Sequence, residues 1–272
     1  MADSDLPLIL EPDELERRLG RPGLLVVDLG AASTHARQHV PGAVHLDYAR
    51  IVAPRPPVGG LLPDDRQIGE VLSSIGMTAR SHVIAYDDEG GAKACRLLWT
   101  LDVIGHRGFS LLNGGLQAWV GEGHRTESGV AAPARGDYRV TGRTEAAVDA
   151  AYVLAHLDDP SVVVLDTRSP AEFSGADRRA ARGGHIPGAV NLEWTLAVDR
   201  TRNLRLRPDA ELRALFAALG VTPDKEVVTH CQTHHRSSHT YIALRALGYP
   251  RVRAYAGSWS EWGNDPSLPV EA

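Results

Sequence analysis

The side chains with the most chemical potential in this chain of 272 residues fall in one run: Cys231, Gln232, Thr233, His234, His235 and Arg236. A thiol followed closely by two imidazoles and a guanidinium suits nucleophilic attack on an anionic substrate, because the thiolate is the reactive form and neighbouring cations favour it. Free cysteines are more commonly small core residues. Such a residue is normally flanked by apolar neighbours, whereas here the polar run continues to Ser238, so Cys231 reads as the nucleophile. Two roles stand for Arg236: an N–H pair for two oxygens of an anionic donor, or a brace on loop carbonyls. Gln232, Thr233, His234 and His235 are expected to line the substrate site, with His234 and His235 changing the charge of its rim with pH. His230 reads as a packed residue rather than a general base. His230, Cys231, His234, His235 and His239 are also soft enough for zinc or copper. Adjacent His234 and His235 on a tight loop point apart and no second Cys is near, so no metal or other cofactor is expected.

Val227 and Val228 read as the end of a buried strand, and Tyr241, Leu244 and Leu247 at helical spacing read as a helix that stops at Gly248. Cys231 therefore stands where a strand ends and a helix is about to begin. Successive backbone N–H groups in such a loop, with the N-terminus of the helix, form a concavity suited to an anion. A thiol placed there is expected to ionise easily.

The chain has material for about two domains, and 43% apolar content suffices for proper cores. No uncharged apolar stretch reaches about 18 residues, and the opening MADSDLPLILEPDELERRLG is acidic where a secretory signal is basic, so neither a membrane partner nor export is expected. Two cysteines, Cys95 and Cys231, cannot build a disulfide framework, which points to a reducing, cytoplasmic location. The net charge of −5 argues against nucleic acid.

An internal repeat organises the whole. LLVVD ending at Asp28, HVPGAVHLD from His39, Gly76 and HVIAYD return as VVVLD ending at Asp166, HIPGAVNLE from His185, Gly220 and EVVTHC. Gly105 matches Gly248, and NGGLQAW matches AGSWSEW, each one position closer than the earlier matches, so the first copy's loop DDEGGAKA reads as one residue longer. Each copy alternates β-branched apolar runs with amphipathic stretches, the pattern of a parallel sheet flanked by helices. The fold class is therefore α/β with two similar domains, residues 1–140 and 141–272, joined through a polar segment from about Gly121. At the position of Cys231 the first copy has Asp87, or Asp88 if the gap is set one residue earlier, so only the second domain is expected to do chemistry. Cys95, opposite Ser238 among Leu97, Leu98 and Trp99, reads as a packed thiol.

These segments together resemble the tandem-domain rhodaneses. The likeness rests on DLG and DTR after the first strands, on HVPGA and HIPGA, on the Cys-initiated loop and on GSWSEW, and it spans nearly the whole chain. The loop CQTHHR is similar to that of a bacterial subgroup. The resemblance implies two rhodanese-like domains with the first inactive, a Cys231 persulfide formed in a ping-pong cycle, thiosulfate or a related sulfur donor, and cyanide, a thiol or a sulfur-accepting protein as acceptor. Familiar members carry an Arg soon after the DxR segment as a second anchor, and this chain has Glu172 there, which puts thiosulfate as the physiological donor in question. Arg182, in the Arg-rich stretch ADRRAARGGH, is the alternative substrate contact, against a reading as solvated surface.

Asp28 and Asp166 are expected to brace their loops through N–H groups, and His39 and His185 to serve the fold. Trp194, Trp259 and Trp262 suit either a pocket wall or the core. Two other functions stay open. A Cys-dependent phosphatase or arsenate reductase has a related loop, but the phosphatase pattern needs five residues between Cys and Arg and this chain has four. A noncatalytic sulfur-carrier or partner-binding module is the other.

Overall fold

The computed structural model of the protein describes residues 6–130 and 132–272; the first five residues of the acidic opening and one position in the join between the repeats lie outside it. The chain separates into two compact units. The first contains the described residues up to Ile51, with Pro63–Thr144 and Asp199–Leu206; the second contains Val52–Leu62, Glu145–Val198 and Arg207–Ala272. The chain passes from one unit to the other at Thr144, and two short segments belong to the unit that the opposite half of the sequence builds. A single boundary does not describe that exchange.

The apolar runs form the centres of two parallel sheets because strands covered on both faces need continuous rather than alternating hydrophobicity. In the first unit β1 (Ile9–Leu10), β2 (Leu24–Asp28), β3 (Val44–His45), β4 (His82–Tyr86) and β5 (Phe109–Leu112) lie in the order β1-β5-β4-β2-β3, every pair parallel. In the second, β6 (Ala147–Val148), β7 (Val162–Asp166), β8 (Val190–Asn191), β9 (Glu226–His230) and β10 (Val252–Tyr255) repeat it as β6-β10-β9-β7-β8. The flanking helices are α1 (Pro12–Glu16), α2 (Ala32–Arg37), α3 (Asp65–Ser74), α4 (Ala92–Val103) and α5 (Gly115–Gly121) in the first unit. Those of the second are α6 (Ala150–Ala155), α7 (Pro170–Phe173), α8 (Asp209–Ala217), α9 (Arg236–Ala246) and α10 (Ser258–Trp262). Gly220 and Gly248 follow α8 and α9 with φ of 70° and 80°, a left-handed conformation in which a Cβ is strained and which stops the helix. No described helix is long and apolar enough to cross a membrane.

Strand β9 is buried along its whole length between β7 and β10, with His230 paired opposite Asp166. The unit's core gathers Val164, Val228, Tyr255, Trp259 and Trp262, so Trp259 and Trp262 are core residues, while Trp194 sits edge-on to His239 with ring centroids 5.3 Å apart. Buried beneath the strand ends is a charged pair. Arg168 donates from Nε and Nη2 to Asp166 at 2.6 to 3.0 Å and from Nη2 to the Gly184 carbonyl at 2.8 Å, with its guanidinium 4.5 Å from the centre of the Trp259 ring. Asp166 also accepts the Arg168 backbone N–H at 2.9 Å. In the first unit Asp28 accepts the Gly30 N–H at 2.7 Å and the Tyr86 hydroxyl at 3.0 Å, and pairs with His35 Nδ1 at 2.8 Å. Both aspartates thus brace the turn that follows their strand. His39 and His185 hydrogen-bond the carbonyls of His35 and Phe173 at 2.7 and 3.0 Å, roles in the fold.

Burial pushes the imidazoles of His35, His106 and His230 below their ordinary value, in His35 against the opposing pull of Asp28 and in His230 against that of Asp166. The folded protein resists protons that the unfolded chain takes up near pH 6.5, so this contribution to stability is complete above that pH and is lost as pH falls through it. The urea midpoint should stay level from about pH 8 to 7 and decline from about pH 6.5 to 5. A midpoint that holds or rises through that window contradicts this account.

Candidate active site

Cys231 follows the central strand β9 and its side chain is fully buried. Its backbone is fixed by the first turn of α10: the Cys231 N–H donates to Ser258 Oγ at 3.3 Å, and the Cys231 and Gln232 carbonyls accept from the N–H groups of Trp259 and Ser260, both at 2.9 Å. Ser258 adopts a φ of 54° and anchors its hydroxyl on the Tyr255 carbonyl at 2.9 Å. The polar segment GSWSEW is therefore the base on which the loop rests.

The equivalent loop of the first unit shows what this backbone is shaped to hold. Asp87 takes the place of Cys231, its carbonyl accepting the Leu116 N–H at 3.0 Å. Its carboxylate receives four backbone N–H groups, from Glu89 at 3.0 Å, Gly91 at 2.7 Å, Lys93 at 2.9 Å and Ala94 at 3.1 Å. The loop and the first turn of α4 thus converge on one negative group. Asp88 instead accepts the Ala31 N–H at 3.4 Å. The first loop is not the longer one. Helices α4 and α9 start equally far after Asp87 and Cys231, and the extra residue is taken up in α4, which has 12 residues against 11 in α9. Cys95 lies inside α4, where burial, and then the Asp87 charge, push its thiol well above the ordinary range.

Within the second loop His234 takes the left-handed position, φ 51°, that Gly90 holds at 103° in the first. A non-glycine residue is strained there unless its surroundings fix it. His234 is fully buried and its Nδ1 is hydrogen-bonded with Ser237 Oγ at 2.7 Å. The expectation that His234 lies on the rim is thereby corrected: it shapes the loop from within. His235 caps α9 and accepts the Ser238 hydroxyl on its carbonyl at 2.6 Å. Gln232 reaches outward, its Nε2 donating to the Arg179 carbonyl at 3.1 Å. Thr233 packs on Gly60, where a Cβ would stand 2.1 Å from the Thr233 oxygen. The segment Val52–Leu62 thus belongs to the loop's own unit, and only glycine permits the approach. His230 bonds the Cys231 carbonyl through Nδ1 at 3.3 Å and lies 3.6 Å from Asp166 through Nε2, the environment of a packed imidazole.

Arg236 opens α9, and its two terminal nitrogens grip both oxygens of Glu172, Nη1 to Oε2 at 2.6 Å and Nη2 to Oε1 at 2.8 Å. Glu172 is 2% exposed and is also the third residue of a capping box with Ser169 at the start of α7. Burial alone would raise the Glu172 carboxyl; the hydrogen bonds and charge of Arg236, with the Ser169 N–H and Arg168, hold it down at about 2. Burial also opposes the Arg236 charge, yet Glu172 and the adjacent Cys231 sulfur, each a hydrogen-bond partner, raise its pKa. The expected N–H pair for a donor's oxygens is therefore corrected: that face of the guanidinium is taken by Glu172.

Arg182 does not reach the loop either. It donates from Nη1 to the Leu268 carbonyl at 2.6 Å and from Nη2 to the Trp262 carbonyl at 2.7 Å and that of Asp265, bracing the C-terminal segment. The member of the Arg-rich stretch next to the loop is Arg179, whose backbone carbonyl accepts the Gln232 amide at 3.1 Å and whose exposed guanidinium is paired with Asp177 at 2.8 and 2.9 Å. Sequence spacing carried the stretch but could not tell which of its arginines lies beside the loop. Among the described residues no group of three or more His, Cys, Asp or Glu is placed to hold a metal ion. A cavity of about 530 Å³ in the first unit, lined by Asp65, Glu70, Arg135 and Tyr138 among others, includes none of the residues of the Cys231 loop.

Two repeated parallel sheets with a strand-to-helix loop cradling a negative group define a class, and the match of the Rhodanese-like domain to residues 11–122 and again to 149–265 makes the chain a member of that family. It is 46% identical over 268 residues to a thiosulfate sulfurtransferase of Pseudomonas aeruginosa and 47% identical over 268 residues to one of Azotobacter vinelandii, in each case covering 98% of both chains. The solved structure of YnjE superposes with a TM-score of 0.86 at 23% identity, covering 97% of this chain and 68% of that one, a likeness of fold.

If the first loop is closed by its own carboxylate, Asp87→Ala leaves four converging N–H groups without an acceptor. The variant should lose about 3 kcal/mol of unfolding free energy, measured by urea denaturation. A loss under about 0.5 kcal/mol refutes the cradle.

Proposed function

We propose that the protein is a thiosulfate sulfurtransferase that carries a sulfane sulfur as a persulfide on Cys231, with residues 141–272 catalytic and residues 1–140 noncatalytic. One observation carries the reading: at equivalent places in two equivalent loops, the carboxylate that fills the first cradle is replaced in the second by a thiol. The backbone that stabilises a fixed negative charge in one unit is available to a reactive one in the other. The family and its close relatives support the same chemistry.

The Cys231 thiolate attacks the outer sulfur of thiosulfate; the new S–S bond forms as the bond to the sulfonate sulfur breaks, and the electron pair leaves with sulfite. The terminal persulfide sulfur carries one negative charge, as the thiolate did before it, so the same loop N–H groups serve both states. Cyanide or a thiolate then attacks that sulfur and returns Cys231 to its starting form. Arg236 lies beside the Cys231 sulfur with its charge shared with Glu172. Gln232, Thr233 and His235 form the loop's outer wall, and Arg179 takes the place of Arg182 as the rim cation. The CQTHHR loop fits the bacterial subgroup, a cytoplasmic enzyme that passes sulfur to a small acceptor or to a sulfur-accepting protein.

Incubation with thiosulfate should add the mass of one sulfur to the Cys231 peptide, and cyanide should remove it. Cys231→Ser should lose more than about a thousandfold in kcat/KM and gain no sulfur, whereas Cys95→Ser should stay within about twofold of the parent. Activity that survives Cys231→Ser and disappears with Cys95→Ser overturns the assignment.

A further inference from the structure

The cations beside Cys231 are already paired. Arg236 presents its two terminal nitrogens to Glu172 in a fork-to-fork bond, and Arg179 gives Nε and Nη2 to Asp177. A planar guanidinium binds a sulfonate through such a pair of N–H groups, and in this protein the end-on pair of Arg236 is already taken by Glu172. Glu172 is not a mobile competitor. It is buried, it sits in the first turn of α7, and its Oε2 also accepts the Ser169 N–H at 3.3 Å and hydroxyl at 3.2 Å. The short loop Thr167–Ser169 that leads into α7 is anchored in turn by the Asp166–Arg168 pair. The carboxylate is thereby held on Arg236 from two sides.

We propose that Glu172 is the residue that sets donor charge selectivity, by cancelling the Arg236 charge and occupying its paired N–H groups so that the donor is received by loop amides rather than by a guanidinium clamp. This rests on the sulfur-transfer reading of the site. Glu172 acts through Arg236 and is a positioning residue. The consequence is a site that gains little from the second charge of a dianionic donor. Thiosulfate and an alkyl thiosulfonate compare this directly, because each delivers one sulfane sulfur to the Cys231 thiolate. The first expels sulfite and the second a sulfinate, and they differ by one unit of charge. In the parent protein their kcat/KM values should reflect leaving group and size, with a weak dependence on salt.

Glu172→Gln tests the idea and keeps the capping box, since Gln serves at that position as well as Glu. It uncovers one positive charge and frees at least one N–H of Arg236. The ratio of kcat/KM for thiosulfate to that for methyl thiosulfonate should rise about tenfold, the scale of one charge-assisted hydrogen bond, mainly through a lower KM for thiosulfate. The double variant Glu172→Gln/Arg236→Gln removes both charges and should return the ratio to the parent value, even where both rates fall; it also serves if the single variant does not fold, because it leaves no buried charge unpaired. A ratio unchanged or lowered in Glu172→Gln, with both donors losing together, makes Glu172 a mere brace and overturns the proposal, as does a double variant that loses thiosulfate selectively. Mass spectrometry of the parent separates the two levels: no sulfur adduct on Cys231 with either donor means that the sulfur-transfer reading has failed, whereas an adduct with an unmoved donor ratio means that the role of Glu172 has.

Discussion

Backbone N–H groups that converge where a buried parallel strand ends must meet a negative acceptor, and much else in each unit serves that requirement. The side chain that follows β9 is fully buried, so amides aimed at it meet that side chain rather than bulk solvent. In the first unit a carboxylate meets the need with four hydrogen bonds. In the second a sulfur atom stands at the same place, and the strain of a non-glycine residue at His234 is held by Ser237. One geometry therefore holds a carboxylate in one unit and a thiol in the other.

Support for that loop comes from buried charge rather than from apolar packing alone. Asp166 and Arg168 neutralise each other under the strand ends, with Arg168 tied further to Gly184 and stacked over Trp259. Such pairs contribute little net stability compared with an apolar replacement, but removing one partner strands the other in a low-dielectric interior at a cost of roughly 3 to 5 kcal/mol. Their effect is to fix direction: the turn after β7 has one arrangement in which every donor is matched, and that arrangement delivers Glu172 to Arg236. The charge beside Cys231 is thus set in part by a residue far from it in the chain.

The repeat and the parallel sheets were legible in the amino-acid sequence, and so was the thiol at the head of the second loop that the proposed function makes the nucleophile. Continuous β-branched runs suit strands buried on both faces, and two copies of one pattern give two copies of one fold. The aspartate at Asp87 was equally legible as a residue unable to replace it, although the alignment left Asp88 open until the Leu116 N–H fixed the register. Tertiary structure decided what depends on direction. Arg182 and Arg179 belong to one stretch of similar composition, and only the fold turns the first toward the carbonyls of Trp262 and Leu268 and sets the backbone of the second against Gln232 of the loop. Glu172 read as a missing anchor, because spacing along the chain does not report that a short helix carries it onto Arg236. Residues 52–62 read as part of the first domain and pack instead on Thr233, an approach set by the absence of a side chain at Gly60. Sequence specifies which groups are present and which face of an element they take; which donor meets which acceptor is settled only when folding has excluded water and left each buried polar atom a single partner within reach.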